Sequence, residues 1–455
     1  MNNITFKRRM CIKYRVNKNK IMEFIRHDSA IASILLSIFH CVKYGFIRIM
    51  HGEFKALIIA GDVFRHTRFQ WVRNMATKIL KDSLLKHGSR KTGAEILNII
   101  LRDVEIKIVN DLRQSIIEGL PGLYHRRLLI LSPPEGDHKG VIIIKFSNYF
   151  KYFLSVFDIN KISQDYILVI EPSSSGYFDE DILCLLTADT QIIVQSPEPV
   201  DYRFINSLSS NLWPVDVGPN GWVDQRIFFP IGKFEKEYDI IMVSIWADVK
   251  RHYHLFESLS ESLNDNIKIA LVGKPWPKLL EDIKDEARYY NVIEKITFFE
   301  NISQAEINEI LNKSKTYLLL SKKEGTNKSI IEAMNSDVPV FILEGFNYGY
   351  KYPFINPKTG GFIKKDGLVE FINGHGEYRK SQFRPSEWIR ANMTPFISTQ
   401  KIIDIIERIE KERSLKVNKD LAVKVNIPEL DYLDSNLWQK YETYYKKLSN
   451  YMIHI

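Results

Sequence analysis

The sequence predicts an α/β protein with two doubly wound, Rossmann-like domains that face a crevice, preceded by a basic helical extension. Two observations predict this fold class. Short apolar runs bounded by Pro, Ser, Gly and Asp recur in two series, one within 126–232 and one within 233–425. Amphipathic segments separate the runs, and this alternation is typical of parallel strands that are covered on both faces by helices.

The composition is that of a globular protein in a reducing compartment. Hydrophobic residues make up 45% of the 455 residues and charged residues 26%, which are ordinary values for a globular chain. The three cysteines, Cys11, Cys41 and Cys184, lie far apart and form no C-x-x-C pair. The pattern indicates neither a disulfide framework nor a zinc knuckle, and we expect a cytoplasmic protein.

The N-terminal part of the chain is strongly basic and is predicted to be mostly helical. Residues 1–130 contain 24 Lys and Arg against 10 Asp and Glu, although the net charge of the whole chain is only +8. Apolar residues at three-to-four spacing predict helices across 1–125, with one exception at 55–62 (KALIIAGD), which favours a strand. A basic segment of this kind suits an anionic membrane surface. Nucleic acid is not expected as a partner, because no aromatic stacking pattern accompanies the charge.

One apolar stretch in this region needs its own interpretation. SAIASILLSIFHCVKYGFIRIM (29–50) is interrupted by His40, Lys43 and Arg48, and its unbroken part at 31–39 is too short to cross a bilayer. Two alternatives remain open. The stretch is either a packed helix under a basic face or a helix that lies on the inner membrane surface.

The two series of strands define the domain boundaries. The first series, RLLILSPP, GVIIIKFS, YILVIEPSSSG and QIIVQSPEP, predicts a domain over 126–232. The second series, DIIMVSIW, KIALVG, KITFFE, TYLLLS and VPVFIL, predicts a domain over 233–425. The turn-rich and charged segment between them predicts a hinge. A final helix within 426–455 is expected to pack back on the first domain.

The segment after TYLLLS carries the most informative residues. The strand is followed by a loop, KKEGTN, and by a helix, KSIIEAMNS, whose N-cap is either Asn327 or Ser329. This order places Glu324 in the loop and Glu332 in the helix, at the carboxyl edge of the predicted sheet. The free N–H groups of a helix start bind phosphate, and carboxylates accept hydrogen bonds from hydroxyls. A nucleotide-sugar needs both kinds of contact.

The same segment resembles a known family. EGTNKSIIEAMNSDVPV is similar to the signature of retaining family-4 glycosyltransferases with the GT-B fold, E-G-x-x-x-x-x-x-E-A-x-x-x-x-x-P-V. PNGWVDQRIFFP (Pro219–Pro230) resembles the family's P-N-G-V-D motif with one inserted residue. KTGGFI (Lys358–Ile363) resembles its T-G-x-x-V loop, and KIALVG its L-x-I-V-G strand. These motifs occur in the family's order.

The resemblance implies roles for particular residues. Glu324 would contact the hydroxyls of the donor sugar and Glu332 those of the ribose, while backbone amides at the helix start would hold the diphosphate. The donor-binding residues are then Gly325, Thr326, Asn327, Lys328, Ser329, Glu332, Gly273 and Lys274.

The family also carries an Arg and a Lys, spaced R-x-x-x-x-x-K, that neutralise the leaving group. The Lys corresponds here to Lys250 or Arg251, both catalytic candidates, whereas the Arg position falls on Ser244 or Ile245. The resemblance implies transfer with retention at the anomeric carbon, without a cofactor or a metal. The acidic run at 179–181 indicates a helix-starting turn and not a metal site.

The acceptor is expected on the first domain, where the signal is weaker. Four residues in loops at strand ends are candidate contacts, Glu171, Tyr177, Glu198 and Arg203, although ordinary turn and cap roles suit them equally. The predicted function is transfer of a sugar to a glycan or lipid-linked acceptor in cell-surface polysaccharide or glycolipid synthesis. The alternatives are a nucleotide-sugar epimerase and, because of the missing arginine, a non-catalytic nucleotide-sugar-binding protein.

Overall fold

The computed structural model describes residues 5–25, 30–118, 127–172, 178–232, 234–321, 324–345, 352–374, 382–426 and 431–453. The chain forms two compact units. We call residues 1–33 with 225–394 the six-stranded unit, and residues 34–224 with 395–455 the five-stranded unit. The region predicted as one N-terminal extension is therefore divided between the two units.

The N-terminal region is helical, as predicted. Its six helices among the described residues are α1 (Phe6–Glu23), α2 (Ala30–His51), α3 (Glu53–His66), α4 (Gln70–His87), α5 (Ser89–Ile100) and α6 (Ile106–Ile117). The expected strand at 55–62 is wrong, because these residues lie within α3. The apolar side chains there follow helical spacing, and Ala56, Leu57 and Ala60 are buried on one face of the helix.

Helix α2 exposes most of its apolar surface. It runs unbroken for 22 residues, and its segment Ser33–His51 is long and apolar enough to cross a membrane, with a mean hydropathy of 1.4. This criterion concerns length and composition only, and the uninterrupted apolar part at 31–39 remains shorter than a bilayer span. Only 11% of this segment is buried within the structure, which disfavours the packed-helix alternative.

The five-stranded unit contains one sheet in the order β1-β2-β3-β4-β5. Its strands are β1 (Leu128–Ser132), β2 (Gly140–Lys145), β3 (Tyr166–Glu171), β4 (Ile192–Gln195) and β5 (Leu212–Val215). The pairs from β2 to β5 are parallel, whereas β1 runs antiparallel to β2. The segment 133–139 between them is too short for a parallel crossover, which needs roughly a dozen residues, so the chain turns back as a hairpin.

Helices cover this sheet between its strands and at the end of the chain. They are α7 (Ser147–Val156), α8 (Ile159–Asp165), α9 (Glu180–Leu183) and α10 (Pro199–Asn206), followed near the C-terminus by α17 (Pro395–Arg413) and α18 (Leu437–Lys447). Helix α18 packs on β1, where the Tyr445 hydroxyl accepts a hydrogen bond from the Ile130 N–H at 2.9 Å.

The six-stranded unit contains a parallel sheet in the order β11-β10-β9-β6-β7-β8. Its strands are β6 (Tyr238–Ile245), β7 (Ile269–Lys274), β8 (Ile296–Glu300), β9 (Ser314–Leu319), β10 (Val340–Leu343) and β11 (Gly360–Ile363). Its later helices are α11 (His252–Glu261), α12 (Leu280–Tyr289), α13 (Gln304–Asn312), α14 (Lys328–Asn335), α15 (Leu368–Ile372) and α16 (Pro385–Asn392).

The strand order of the six-stranded unit creates a switch point. From β6 the chain first builds outward through β7 and β8, and then returns to the other side of β6 to build β9, β10 and β11. Loops that leave β6 and β9 therefore diverge at the carboxyl edge of the sheet, where doubly wound folds bind ligands. The predicted fold class, two Rossmann-like domains with a helical N-terminal region, is confirmed.

Candidate functional site

A cavity of about 340 Å³ opens at this switch point. Its walls come from the carboxyl ends of β6 and β7, from the segment after β9 and from the first turns of α14. The lining residues are Val243, Ser244, Ile245, Lys250, Val272, Gly273, Lys274, Ile302, Ile307, Glu324, Thr326, Asn327, Lys328, Ser329 and Glu332. The cavity thus brings together two carboxylates, three ammonium groups and a helix start.

The start of α14 leaves its backbone N–H groups available. Asn327 occupies the N-cap position, one of the two predicted alternatives, but its side chain makes no hydrogen bond to the helix backbone. The Asn327 carboxamide oxygen lies instead 2.6 Å from the Ser329 hydroxyl. Because Asn327 does not cap the first turn, the N–H groups there and the helix dipole can attract an anion.

A buried tyrosine, Tyr317, is hydrogen-bonded to the first turn of α14. The Tyr317 hydroxyl lies 2.6 Å from the Ser329 hydroxyl, and both hydroxyls reach the Val243 carbonyl, at 3.3 and 3.2 Å. Burial raises the pKa of Tyr317, so its hydroxyl keeps its proton. The contact joins β9 and α14 to the end of β6 and holds the rim of the cavity in place.

The first carboxylate of the cavity, Glu324, is paired with Lys250. The Lys250 ammonium donates to Glu324 Oε1 at 2.5 Å, and the side chains are only 12% and 14% exposed. The carboxylate oxygens of Glu324 can accept hydrogen bonds from hydroxyls. The two residues leave neighbouring strands, β6 and β9, so the pair also closes one side of the cavity.

The second carboxylate, Glu332, sits deeper on α14. Burial raises its pKa to about 7, against the opposing effect of the Lys328 and Lys274 charges. Both lysines line the cavity but keep their side chains exposed. The carboxyl group therefore changes its protonation near neutral pH, next to two exposed cations.

The two cationic candidates of the sequence separate in the structure. Lys250 lines the cavity, whereas Arg251 turns away and is 5% exposed. Arg251 adopts a left-handed backbone conformation with φ +60°, its Nη1 donates to the Leu320 carbonyl at 3.1 Å, and its guanidinium forms an ion pair with Glu23. A direct contact between Arg251 and a ligand in the cavity is not supported by this geometry.

A neutral pair occupies the position where the family has its arginine. Ser244 lines the cavity, and its hydroxyl lies 3.1 Å from His252 Nε2. Burial, assisted by the Lys278 and Lys250 charges, lowers the pKa of His252 to about 3. The imidazole is therefore neutral near pH 7, and this wall contributes hydrogen-bonding groups without a positive charge.

Gly273 is required by the close approach of β7 to β6. A Cβ atom at this position would lie 2.4 Å from the Ser244 carbonyl oxygen and 2.6 Å from ring carbons of Trp246. The backbone there lines the cavity, with the Lys274 side chain next to it. Glycine at this position therefore lets the ends of β6 and β7 approach closely and form the floor of the cavity.

The acceptor-side candidates all lie in the sequence range of the five-stranded unit. Glu171 is 4% exposed and lies 3.3 Å from the Lys424 ammonium, which is itself fully buried. Glu198 is buried directly before α10, whereas Arg203 is exposed on that helix. Tyr177 lies outside the described residues. These contacts suit a structural role for Glu171.

The acidic run at 179–181 starts a helix. The Asp179 carboxylate accepts from the Asp181 N–H at 3.0 Å and pairs with Arg65 at 2.5 Å. Within the described residues, no group of three or more His, Cys, Asp or Glu side chains is arranged to hold a metal ion.

Several residues of the cavity have no counterpart in the sequence prediction. Ile302 and Ile307 follow β8 and give the cavity an apolar wall, together with Val272. The strand order offers a signal for the first two, since the segment after KITFFE must reach the same edge of the sheet. Tyr317, which supports the rim of the cavity, lies inside an apolar strand run, so the sequence does not mark it as a site residue.

The fold and the cavity define a class: an α/β protein with a lysine-lined cavity at the switch point of a parallel sheet. Residues 223–372, which contain all the lining residues of the cavity, match the family model described as Glycosyl transferases group 1. This match supports the coarse part of the predicted resemblance, a group 1 glycosyltransferase domain, over one third of the chain. No curated protein matches the chain by sequence.

Solved structures resemble the chain at low sequence identity. Sucrose-phosphate synthase from Thermosynechococcus elongatus is 14% identical, covers 60% of this chain and 74% of its own, and has a TM-score of 0.46. The C-terminal domain of a glycosyl transferase group 1 family protein from Francisella tularensis is 15% identical over 38% of this chain and 98% of its own, with a TM-score of 0.32. A lipopolysaccharide outer core galactosyltransferase is 13% identical over 65% and 80%, with a TM-score of 0.40.

Proposed function

We propose that this protein is a retaining glycosyltransferase that moves a hexose from a nucleotide-sugar to a glycan or lipid-linked acceptor. The observation that carries the proposal is the content of one cavity: Glu324 and Glu332, three lysines and the uncapped start of α14. A nucleotide-sugar has hydroxyls at both ends and a diphosphate between them. The carboxylates match the hydroxyls, and the lysines and helix N–H groups match the diphosphate.

The lysines supply the main catalytic effect in this proposal. When the bond to the sugar breaks, the diphosphate leaves with an additional negative charge, and groups that stabilise this charge lower the barrier. Lys250, Lys274 and Lys328 line the cavity that would hold it. They offer three ammonium groups where the family uses an arginine and a lysine, so the missing arginine need not imply an inactive protein.

Retention follows in the proposal from the leaving group itself. The departing diphosphate takes the proton of the acceptor hydroxyl on the same face of the sugar, so that the new bond forms where the old one broke. A carboxylate nucleophile is then unnecessary, and Glu324 acts by holding the sugar hydroxyls. The acceptor would come from cell-surface polysaccharide or glycolipid synthesis and would meet the five-stranded unit.

The test is the reaction itself with a matched pair of variants. A thermal-shift screen of nucleotide-sugars identifies the donor, because a ligand that binds only the folded state raises the unfolding temperature. Product analysis then compares the wild type, Glu324→Gln and the control Glu294→Gln, an exposed carboxylate outside the cavity. We expect transfer to be lost only in Glu324→Gln. Equal turnover in all three proteins would contradict the proposal.

The same experiment separates the alternatives. A nucleotide-sugar epimerase would convert the donor without any acceptor, which product analysis detects. A non-catalytic binding protein would bind the donor and leave it unchanged with every acceptor offered. No lining residue of the cavity favours the epimerase or the binding protein over the transferase.

We also propose that α2 rests on an anionic membrane surface. Leu35, Phe39, Val42, Phe46 and Ile49 are each at least 60% exposed and recur at three-to-four spacing, so they form one apolar stripe. The stripe lies within residues 1–130, which contain 24 Lys and Arg against 10 Asp and Glu. An apolar stripe with basic flanks is the composition that binds the headgroup region of anionic lipid. Flotation with vesicles at low and high salt tests this part.

A further inference from the structure

The N-terminal helix α1 belongs to the six-stranded unit, although the sheet of that unit begins more than two hundred residues later. Ile12 and Val16 of α1 pack against Tyr253, which lies on α11. Charged pairs reinforce this contact: Arg8 pairs with Asp285, Arg15 with Glu286 and Lys20 with Glu257.

The last residue of α1, Glu23, is buried and highly connected. Its side chain is 5% exposed, and one carboxylate oxygen accepts from the Tyr253 hydroxyl at 2.8 Å. The same oxygen lies 3.0 Å from His254 Nε2. The other oxygen pairs with Arg251 and lies 3.3 Å from the Lys365 ammonium. Four side chains of the unit thus converge on one carboxylate.

Arg251 connects Glu23 to the cavity. Its guanidinium reaches Glu23 on one side and the Leu320 carbonyl at the end of β9 on the other. Leu320 lies directly before the loop that carries Glu324, and Lys250 is the residue next to Arg251. The positive φ of Arg251 shapes the turn between the helical turn Asp248–Lys250 and α11. Lys250 is therefore the chain neighbour of Arg251, and Glu324 lies four residues after the carbonyl that Arg251 holds.

We infer that Glu23 is a positioning residue of the donor site, which α1 completes by holding Arg251 and, through it, Lys250 and Glu324. The inference rests on the proposed function, since it concerns the same cavity. Without the Glu23 charge, the Arg251 guanidinium would remain buried beside a neutral group, which is unfavourable. The guanidinium would therefore move toward water, and the turn that carries Lys250 would lose its fixed conformation.

The test measures nucleotide affinity in variants of the full chain. UDP, GDP and ADP are titrated by calorimetry, and the one that binds the wild type most tightly serves as the probe. Glu23→Gln keeps the size of the side chain and removes its charge, and we expect it to weaken probe binding about tenfold. Arg8→Gln is the matched control on α1, because Asp285 keeps its pair with Arg288 at 2.5 Å. It should change affinity by less than about twofold.

A double-mutant cycle shows whether Glu23 acts through Lys250. If it does, Glu23→Gln should weaken binding much less in a Lys250→Met background than in the wild type. Equal losses in the two backgrounds would overturn the inference, because a structural role of Glu23 elsewhere would add independently. Unchanged affinity in Glu23→Gln would overturn it as well.

A milder variant covers the case in which Glu23→Gln fails to fold. Tyr253→Phe removes only the hydroxyl that holds Glu23 and keeps the packing against Ile12 and Val16. We expect a loss of about threefold in probe affinity, and an unchanged affinity counts against the inference. If none of the three nucleotides binds the wild type, the glycosyltransferase proposal fails; if the wild type binds and these variants behave like it, only the role of Glu23 fails.

Discussion

The Lys250 ammonium lies 2.5 Å from Glu324 Oε1 and joins the turn after β6 to the loop after β9. These strands are neighbours in the sheet, and the chain builds the sheet in opposite directions from them. The pair therefore spans the switch point, where the gap between diverging loops forms the cavity. It places a cation and a carboxylate side by side at the wall of the cavity.

The first prediction concerns the cation of this pair. Lys250→Met should lower the rate of sugar transfer about a hundredfold to a thousandfold, because one charged contact to the leaving group is lost. Lys315→Met is the control: Lys315 pairs with Asp239 at 2.7 Å, is 53% exposed and does not line the cavity. Steady-state kinetics of both variants check the prediction. A Lys250→Met enzyme as fast as the control would exclude Lys250 from catalysis.

The sequence predicted the strands well for a physical reason. Strands such as β3 are buried along their whole length, so burial on both faces produces the continuous apolar runs that mark them. The direction of β1 could not follow from such a run, because a buried strand has the same pattern in either direction. Only the short segment 133–139 indicates the hairpin.

The site was predictable where neighbours in the sequence are neighbours in space. The residues from Glu324 to Glu332 share one loop and one helix start, so the sequence alone already brings them to the same edge of the sheet. The direction of the Arg251 side chain was not predictable, because its partner Glu23 lies more than two hundred residues earlier in the chain. A buried ion pair between distant segments leaves no periodic signal.

A second prediction concerns the floor of the cavity. In Gly273→Ala the new methyl group would collide with the Ser244 carbonyl, and overpacking of this kind costs about 1–3 kcal/mol of unfolding free energy. The control is Gly361→Ala in the edge strand β11, where a Cβ would meet only Phe341 ring carbons at 3.6 and 3.7 Å. Urea unfolding compares the two. Equal stability of both variants would show that β6 and β7 can separate freely.

A third prediction concerns the pH dependence of nucleotide binding. With a pKa of about 7, Glu332 is ionised in a growing fraction of molecules as the pH rises through neutrality. An ionised carboxylate accepts hydrogen bonds from ribose hydroxyls more strongly than a neutral one. The affinity of the wild type relative to Glu332→Gln should therefore increase between about pH 6 and about pH 8.

The comparison with Glu332→Gln at each pH removes the ionisation of the diphosphate itself, because both proteins bind the same ligand. The stability of the free protein should change in the opposite direction. The folded pKa lies above the value of 4.5 for an unperturbed carboxyl, so the folded state binds more protons between these values and loses stability as the pH rises. Parallel affinity curves for the two proteins would remove Glu332 from ribose binding.

The last prediction concerns the apolar stripe of α2. Replacing Phe39 and Phe46 together by Ser should lower the affinity for vesicles that contain phosphatidylserine by about tenfold or more, because burial of each ring in the lipid interface is lost. Both side chains are at least 60% exposed, so the substitution removes little packing inside the protein. Leu263→Ser, at an 89% exposed position far from α2 in the sequence, is the control for a general loss of surface hydrophobicity. Flotation should also weaken with added salt, since the basic residues around the stripe act through screened charge. Equal flotation of the wild type and the double variant would show that α2 does not contact lipid.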